Sequence, residues 1–208
     1  DVSGSSFYGS AEVRFEKIKE VATILAFAAG HAKDSVGLLL FSDEIELVIE
    51  SKNIDTHVHF LLQKLYEFQP LLKKQTDISS VLDYVAKKWN KDVVVFVISD
   101  FIDEGFEKSL RCAVGRSDLV AVRCYDSVER ALPSVGYLMV EDVETGESLY
   151  VEAEKKSFVS EILRKRVIKQ DQLFSRLGVD VIDISYKSDS CFQLVDFFKR
   201  RMIHASLR

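Results

Sequence analysis

The chain opens on Asp1-Val2-Ser3-Gly4-Ser5, a D-x-S-x-S run that places one carboxylate and two hydroxyls on a single tight turn. Two more oxygen donors stand far downstream. Thr76 precedes an amphipathic segment, and Asp100 follows the apolar run Val93-Val94-Val95-Phe96-Val97-Ile98. Oxygen ligands without nitrogen or sulfur suit a hard divalent cation such as Mg²⁺. Because hydroxyls are neutral, an ion held this way stays under-compensated and attracts a further carboxylate. Each residue also has a plainer reading. Asp1 or Ser3 can cap a turn by accepting backbone N–H bonds, Thr76 can cap the helix after it, and Asp100 with Asp103 can form a solvated strand exit.

An enzyme reading stands beside the binding one: phosphoryl transfer or hydrolysis with Asp100 as nucleophile, Mg²⁺ as Lewis acid and Thr76 on the phosphate. The residues around it argue against that chemistry. The first turn lacks the second Asp of a D-x-D phosphatase motif, residues 4–10 hold no P-loop lysine, and neither G-x-G-x-x-G nor G-x-S-x-G occurs. His57 and His59 alternate in a helical segment, so their rings diverge and read as solvated; His31 and His204 have no partner cluster. With no general base in view, the chain is expected to be non-catalytic.

Composition narrows the class. A length of 208 residues, 47% hydrophobic and 29% charged, describes a single globular domain spanning 1–208 with enough apolar material for a full core. A net charge of −5 provides no electrostatic footprint for nucleic acid. The basic clusters Lys155-Lys156, Arg164-Lys165-Arg166 with Lys169, and Lys199-Arg200-Arg201 read as polar faces of amphipathic helices, with Phe158, Ile162, Val167 and Phe174 as a buried stripe. Cys112, Cys124 and Cys191 are odd in number and widely spaced, which argues against disulfides or zinc and for a reducing cytoplasm. No run approaches the ~20 apolar residues of a membrane span.

The elements that must position the oxygen donors follow from periodicity. Phe15, Ile18, Val21, Ala22, Leu25 and Ala29 predict a helix stopped at Gly30. Residues 35–41 and the alternating Ile45, Leu47 and Ile49 predict a hairpin ending in an edge strand. Helices are expected from Val58 to Phe68 and from Ile78 to Trp89, the latter capped by Thr76 or Asp77, then a strand over 93–98. A short helix over 106–114, a strand over 119–124, a hairpin across 144–147, a long helix over 155–177, a strand over 179–184 and a helix through Phe198 complete the series. Strands and helices in alternation, with apolar strands, predict a doubly wound, mostly parallel sheet covered on both faces. Ligands of such sheets bind at strand carboxyl ends, where Asp1 and Asp100 would meet. A strand leading into Asp1 would then be central, so the chain is expected to be a fragment of a longer parent, with that strand upstream.

These residues carry a resemblance. Asp1-Val2-Ser3-Gly4-Ser5, Thr76-Asp77-Ile78 and Ile98-Ser99-Asp100-Phe101 resemble the metal-ion-dependent adhesion site of a von Willebrand factor A-like domain. Phe7-Tyr8-Gly9-Ser10, Asp34-Ser35-Val36-Gly37-Leu38 and Glu141-Asp142-Val143-Glu144-Thr145-Gly146-Glu147 further resemble the bacterial family of unknown function numbered fifty-eight. The resemblance covers nearly the whole chain. It implies a Rossmann-like three-layer sandwich and a Mg²⁺ or Mn²⁺ ion held directly by Ser3, Ser5 and Thr76, with Asp1 and Asp100 acting through bound water. A sixth position would stay open for a partner's Glu or Asp. It also implies a role in protein interaction and complex assembly, in the company of a MoxR-type AAA+ ATPase. Ser6, where the family commonly has methionine, is a small departure.

Overall fold

The computed structural model describes residues 1–3, 10–53, 55–69, 76–89, 92–125, 138–141, 148–151 and 153–206. Helix α1 (Ser10–His31) leads to strands β1 (Val36–Phe41) and β2 (Ile45–Lys52), then to helices α2 (Asp55–Glu67) and α3 (Ile78–Lys88). Strand β3 (Val94–Ser99), helix α4 (Glu107–Val114) and strand β4 (Asp118–Tyr125) follow. Strands β5 (Leu138–Glu141) and β6 (Ser148–Val151) precede the long helix α5 (Ala153–Leu177), strand β7 (Asp180–Ser185) and helix α6 (Ser190–Ser206).

Alternation of side chains along the strands explains the layering. In β3, β4 and β7, which pair in parallel in the order β3-β4-β7, successive residues point to opposite faces, and both faces are apolar. Val97, Leu119 and Ala121 join Ile78, Leu82, Leu110 and Phe174 in a core under α3, α4 and α5. Val120, Val122, Cys124, Ile182 and Ile184 face Ile18, Val21, Leu194 and Phe197 of α1 and α6. Helices therefore cover the parallel strands on both sides, as expected.

The sheet itself is less continuous than the sequence implied. Among the described residues three strands are parallel; β1 and β2 form a separate antiparallel ladder, and β5 and β6 another. The first two residues bridge the first pair of ladders: the Val2 N–H donates to Phe41 O at 2.7 Å and the Asp1 amino group to Ile98 O at 3.0 Å. The expected turn between β5 and β6 lies outside the described residues.

Two local readings need correction. Helix α1 runs one residue past Gly30 to His31, and Lys33 beyond it, with a φ of 65°, turns the chain while the Lys33 and Asp34 N–H groups return to Gly30 O and Ala29 O. Gly30 serves packing instead: a Cβ there would stand 2.8 Å from Val58 Cγ2 of α2. His57 is buried, with Nε2 3.0 Å from Glu50 O and its ring stacked on Phe60, because α2 lays that face against β2. The final helix extends two turns beyond Phe198.

Candidate metal centre

Residues 1–3, the exit of β3 and the segment entering α3 lie at the carboxyl ends of β1 and β3. Asp1 Oδ1 accepts the Ser3 N–H at 2.9 Å, and Oδ2 accepts the Ser99 hydroxyl at 2.5 Å. Asp100 follows Ser99 directly, and its Oδ1 accepts the Ile102 N–H at 2.9 Å. Asp1, Ser3, Ser99 and Asp100 are all buried, at 7%, 0%, 0% and 8% exposure, so these polar groups are fixed away from bulk water.

Thr76 is tied in through its neighbours. The Asp77 N–H donates to Ser42 O at 2.9 Å, just past the Phe41 carbonyl that holds Val2. The Ile78 N–H donates to Asp103 Oδ2 at 2.8 Å, which joins the start of α3 to the loop after Asp100. Asp77 is the cap of α3, accepting the Ser80 N–H at 3.1 Å, and so leaves Thr76 outside that task. Asp103 thus serves the loop as a brace. Burial raises its pKa, opposed by the N–H groups of Ile78 and Glu104, with the charges of Asp77 and Glu104 adding to the rise.

Hydrogen bonds join Asp1 to Ser3 and Ser99, and the chain brings Asp100, next to Ser99, and Thr76, next to Asp77, to the edge of this cluster; Ser5 lies outside the described residues. The donor chemistry fits a hard cation: carboxylates and hydroxyls only, with Asp1 using one lone pair on each oxygen for a protein donor. The capped-turn reading of Asp1 is realised in the bond from the Ser3 N–H. Sequence reasoning quoted Ser99 without giving it a task. A hydroxyl next to a strand-end Asp is the signal that marks it.

Among the described residues Asp43, Glu44 and Glu46 also bring carboxylate oxygens within 4.8 Å of one another at the β1–β2 turn. Asp43 and Glu44 are exposed, and such acidic groups are common without an ion. Cys112, Cys124 and Cys191 are free thiols. No helix among the described residues is long and apolar enough to cross a membrane.

The family model described as Protein of unknown function DUF58 matches residues 1–172, from the opening turn into α5. The chain belongs to the DUF58 family. No curated protein matches this DUF58 chain. Two solved structures are similar to it. The conserved hypothetical protein BatB from Bacteroides thetaiotaomicron aligns at 11% identity and a TM-score of 0.57, covering 92% of this chain and 89% of that one. An aerotolerance-related membrane protein from Bacteroides fragilis NCTC 9343, with multiple mutations to serines, aligns at 15% identity and a TM-score of 0.56, with the same coverage. At these identities the likeness is one of fold.

Proposed function

We propose that this DUF58 chain is a von Willebrand factor A-like, divalent-metal-dependent protein-interaction module without catalytic activity. The observation that carries this reading is the buried pair of carboxylates at the strand ends, with Asp1 braced on both oxygens beside Asp100 and next to hydroxyl donors. Ser3, Ser5 and Thr76 would hold Mg²⁺ or Mn²⁺ directly, and Asp1 and Asp100 would act through water. Neutral hydroxyl ligands leave the ion short of negative charge, so a Glu or Asp of a partner completes its shell. The partner we favour is a MoxR-type AAA+ ATPase in the cytoplasm, and the role is complex assembly.

Titration calorimetry with Mg²⁺ and Mn²⁺ tests the site. Saturable binding is expected in the native chain and none in Asp100→Ala. A second arm tests the open position: acetate added to the Mn²⁺-loaded protein should lower water-proton relaxation as a carboxylate displaces bound water. Equal binding by the native chain and Asp100→Ala would sink the proposal. Thr76→Ala is the cleaner variant for partner studies, since Asp1→Ala would also strip the Ser99 hydroxyl and Ser3 N–H of their acceptor.

A further inference from the structure

One continuous line of hydrogen bonds runs from Asp1 into the opposite layer of the fold. The Ser99 hydroxyl donates to Asp1 Oδ2 and accepts the Phe101 N–H at 3.0 Å. Phe101 O accepts Gln170 Nε2 of α5 at 2.7 Å, and Gln170 Oε1 accepts Arg123 Nη1 of β4 at 3.1 Å. Arg123 is held in turn by Asp183 of β7 at 2.7 and 3.0 Å and by Asp171 at 2.8 Å. Asp1, Ser99, Phe101, Gln170 and Arg123 are each at most 7% exposed.

Phe101 sits at the bend of this line with a φ of 57°, a conformation that bulky residues rarely adopt. Both of its backbone polar groups are spoken for, the N–H by Ser99 and the carbonyl by Gln170. A return to an ordinary φ would swing the adjoining peptides and break one of the two bonds. Asp100, immediately before it, shares that peptide.

We propose that Gln170, itself fixed by Arg123, is a positioning residue for the metal centre: its amide holds the Phe101 carbonyl and so sets the direction of the Asp100 carboxylate. The seating of α5 thereby tunes metal affinity. The affinity part rests on the metal reading above; the bracing of the 99–104 loop does not. Gln170 acts through the backbone of Phe101 and not on the ion.

Gln170→Glu isolates the effect, since it keeps length and an acceptor for Arg123 but has no N–H for the Phe101 carbonyl. Gln170→Met, of similar length, makes neither bond. Leu194→Ala in α6, on the other face of the sheet, supplies a destabilised control. Mn²⁺ affinity by calorimetry should fall about tenfold in both Gln170 variants, the usual scale for outer-sphere partners of a metal ligand. Hydrogen exchange over residues 99–104 should quicken in both, while Leu194→Ala melts earlier with unchanged affinity. Native affinity and exchange in Gln170→Glu, or an equal loss of affinity in Leu194→Ala, would overturn the proposal. If the native chain takes up no Mn²⁺, the metal reading fails, and exchange alone decides: faster exchange over 99–104 upholds the bracing by Gln170, unchanged exchange removes it.

Discussion

A single hydroxyl does two jobs at Ser99, donating to a carboxylate and accepting a backbone N–H, and both partners are buried. Ser99→Ala leaves the Phe101 N–H without its acceptor and Asp1 Oδ2 without its Ser99 donor. Leaving a buried polar group unmatched costs about 1–3 kcal/mol, so urea unfolding should show a loss of that order. Asp103 makes a pH-dependent contribution with a definite sign. Its folded pKa is raised, so the folded state binds the proton more tightly than the unfolded one, and stability falls as pH rises through the carboxylate range. Asp103→Asn can still accept from Ile78 and should flatten that fall in thermal melts taken across acidic pH. Legibility at this scale was uneven. Asp1, Ser3, Thr76 and Asp100 stood out because donor type and spacing are visible along a chain. Gln170 and Arg123 gave no signal, since a glutamine 69 residues from the carbonyl it holds looks like any other polar helix residue.

Elements were easier to read than their ends. The helices from α1 to α4 and the strands β1 to β4 match an apolar period visible in the sequence, because burial on one face or both imposes that period. The ends depend on backbone geometry that composition only hints at. Gly30 looked like a stop and is a contact, whereas the left-handed residue after α1 is Lys33. After α5 a glycine does take the left-handed position: Gly178 has a φ of 69°, and a Cβ there would meet nothing within 4 Å. Gly178→Ala therefore tests conformation alone. It should cost roughly 1–2 kcal/mol, read as a lower denaturation midpoint with an unchanged slope. The overturned expectation for His57 has a tertiary cause, since its helical segment gave no sign that β2 would cover that face.

At the scale of the molecule, the antiparallel β1–β2 ladder is set apart from the β3-β4-β7 sheet. Among the described residues, contacts through Val2 and Asp1 join them, in place of a shared row of strand hydrogen bonds. Regions with fewer shared bonds open at lower free energy. Hydrogen exchange should therefore release the β1 and β2 amides before those of β4, which has partners on both edges. The split was not legible in the sequence, because apolar strands look alike whether their ladders join or not.

The row formed by Ser99, Arg123 and Asp183 across β3, β4 and β7 has a consequence for how the chain assembles. Parallel strands pair over long sequence separations and are prone to slip. A slip of two residues between β7 and β4 keeps every side chain on its original face, so hydrophobicity alone does not reject it. It would, however, set Val181 or Ser185 beside Arg123 in place of Asp183. A buried guanidinium robbed of its main counter-charge costs roughly 3–5 kcal/mol. One ion pair thus acts as proofreading during folding, discarding a misalignment that the alternation of the strands would let pass.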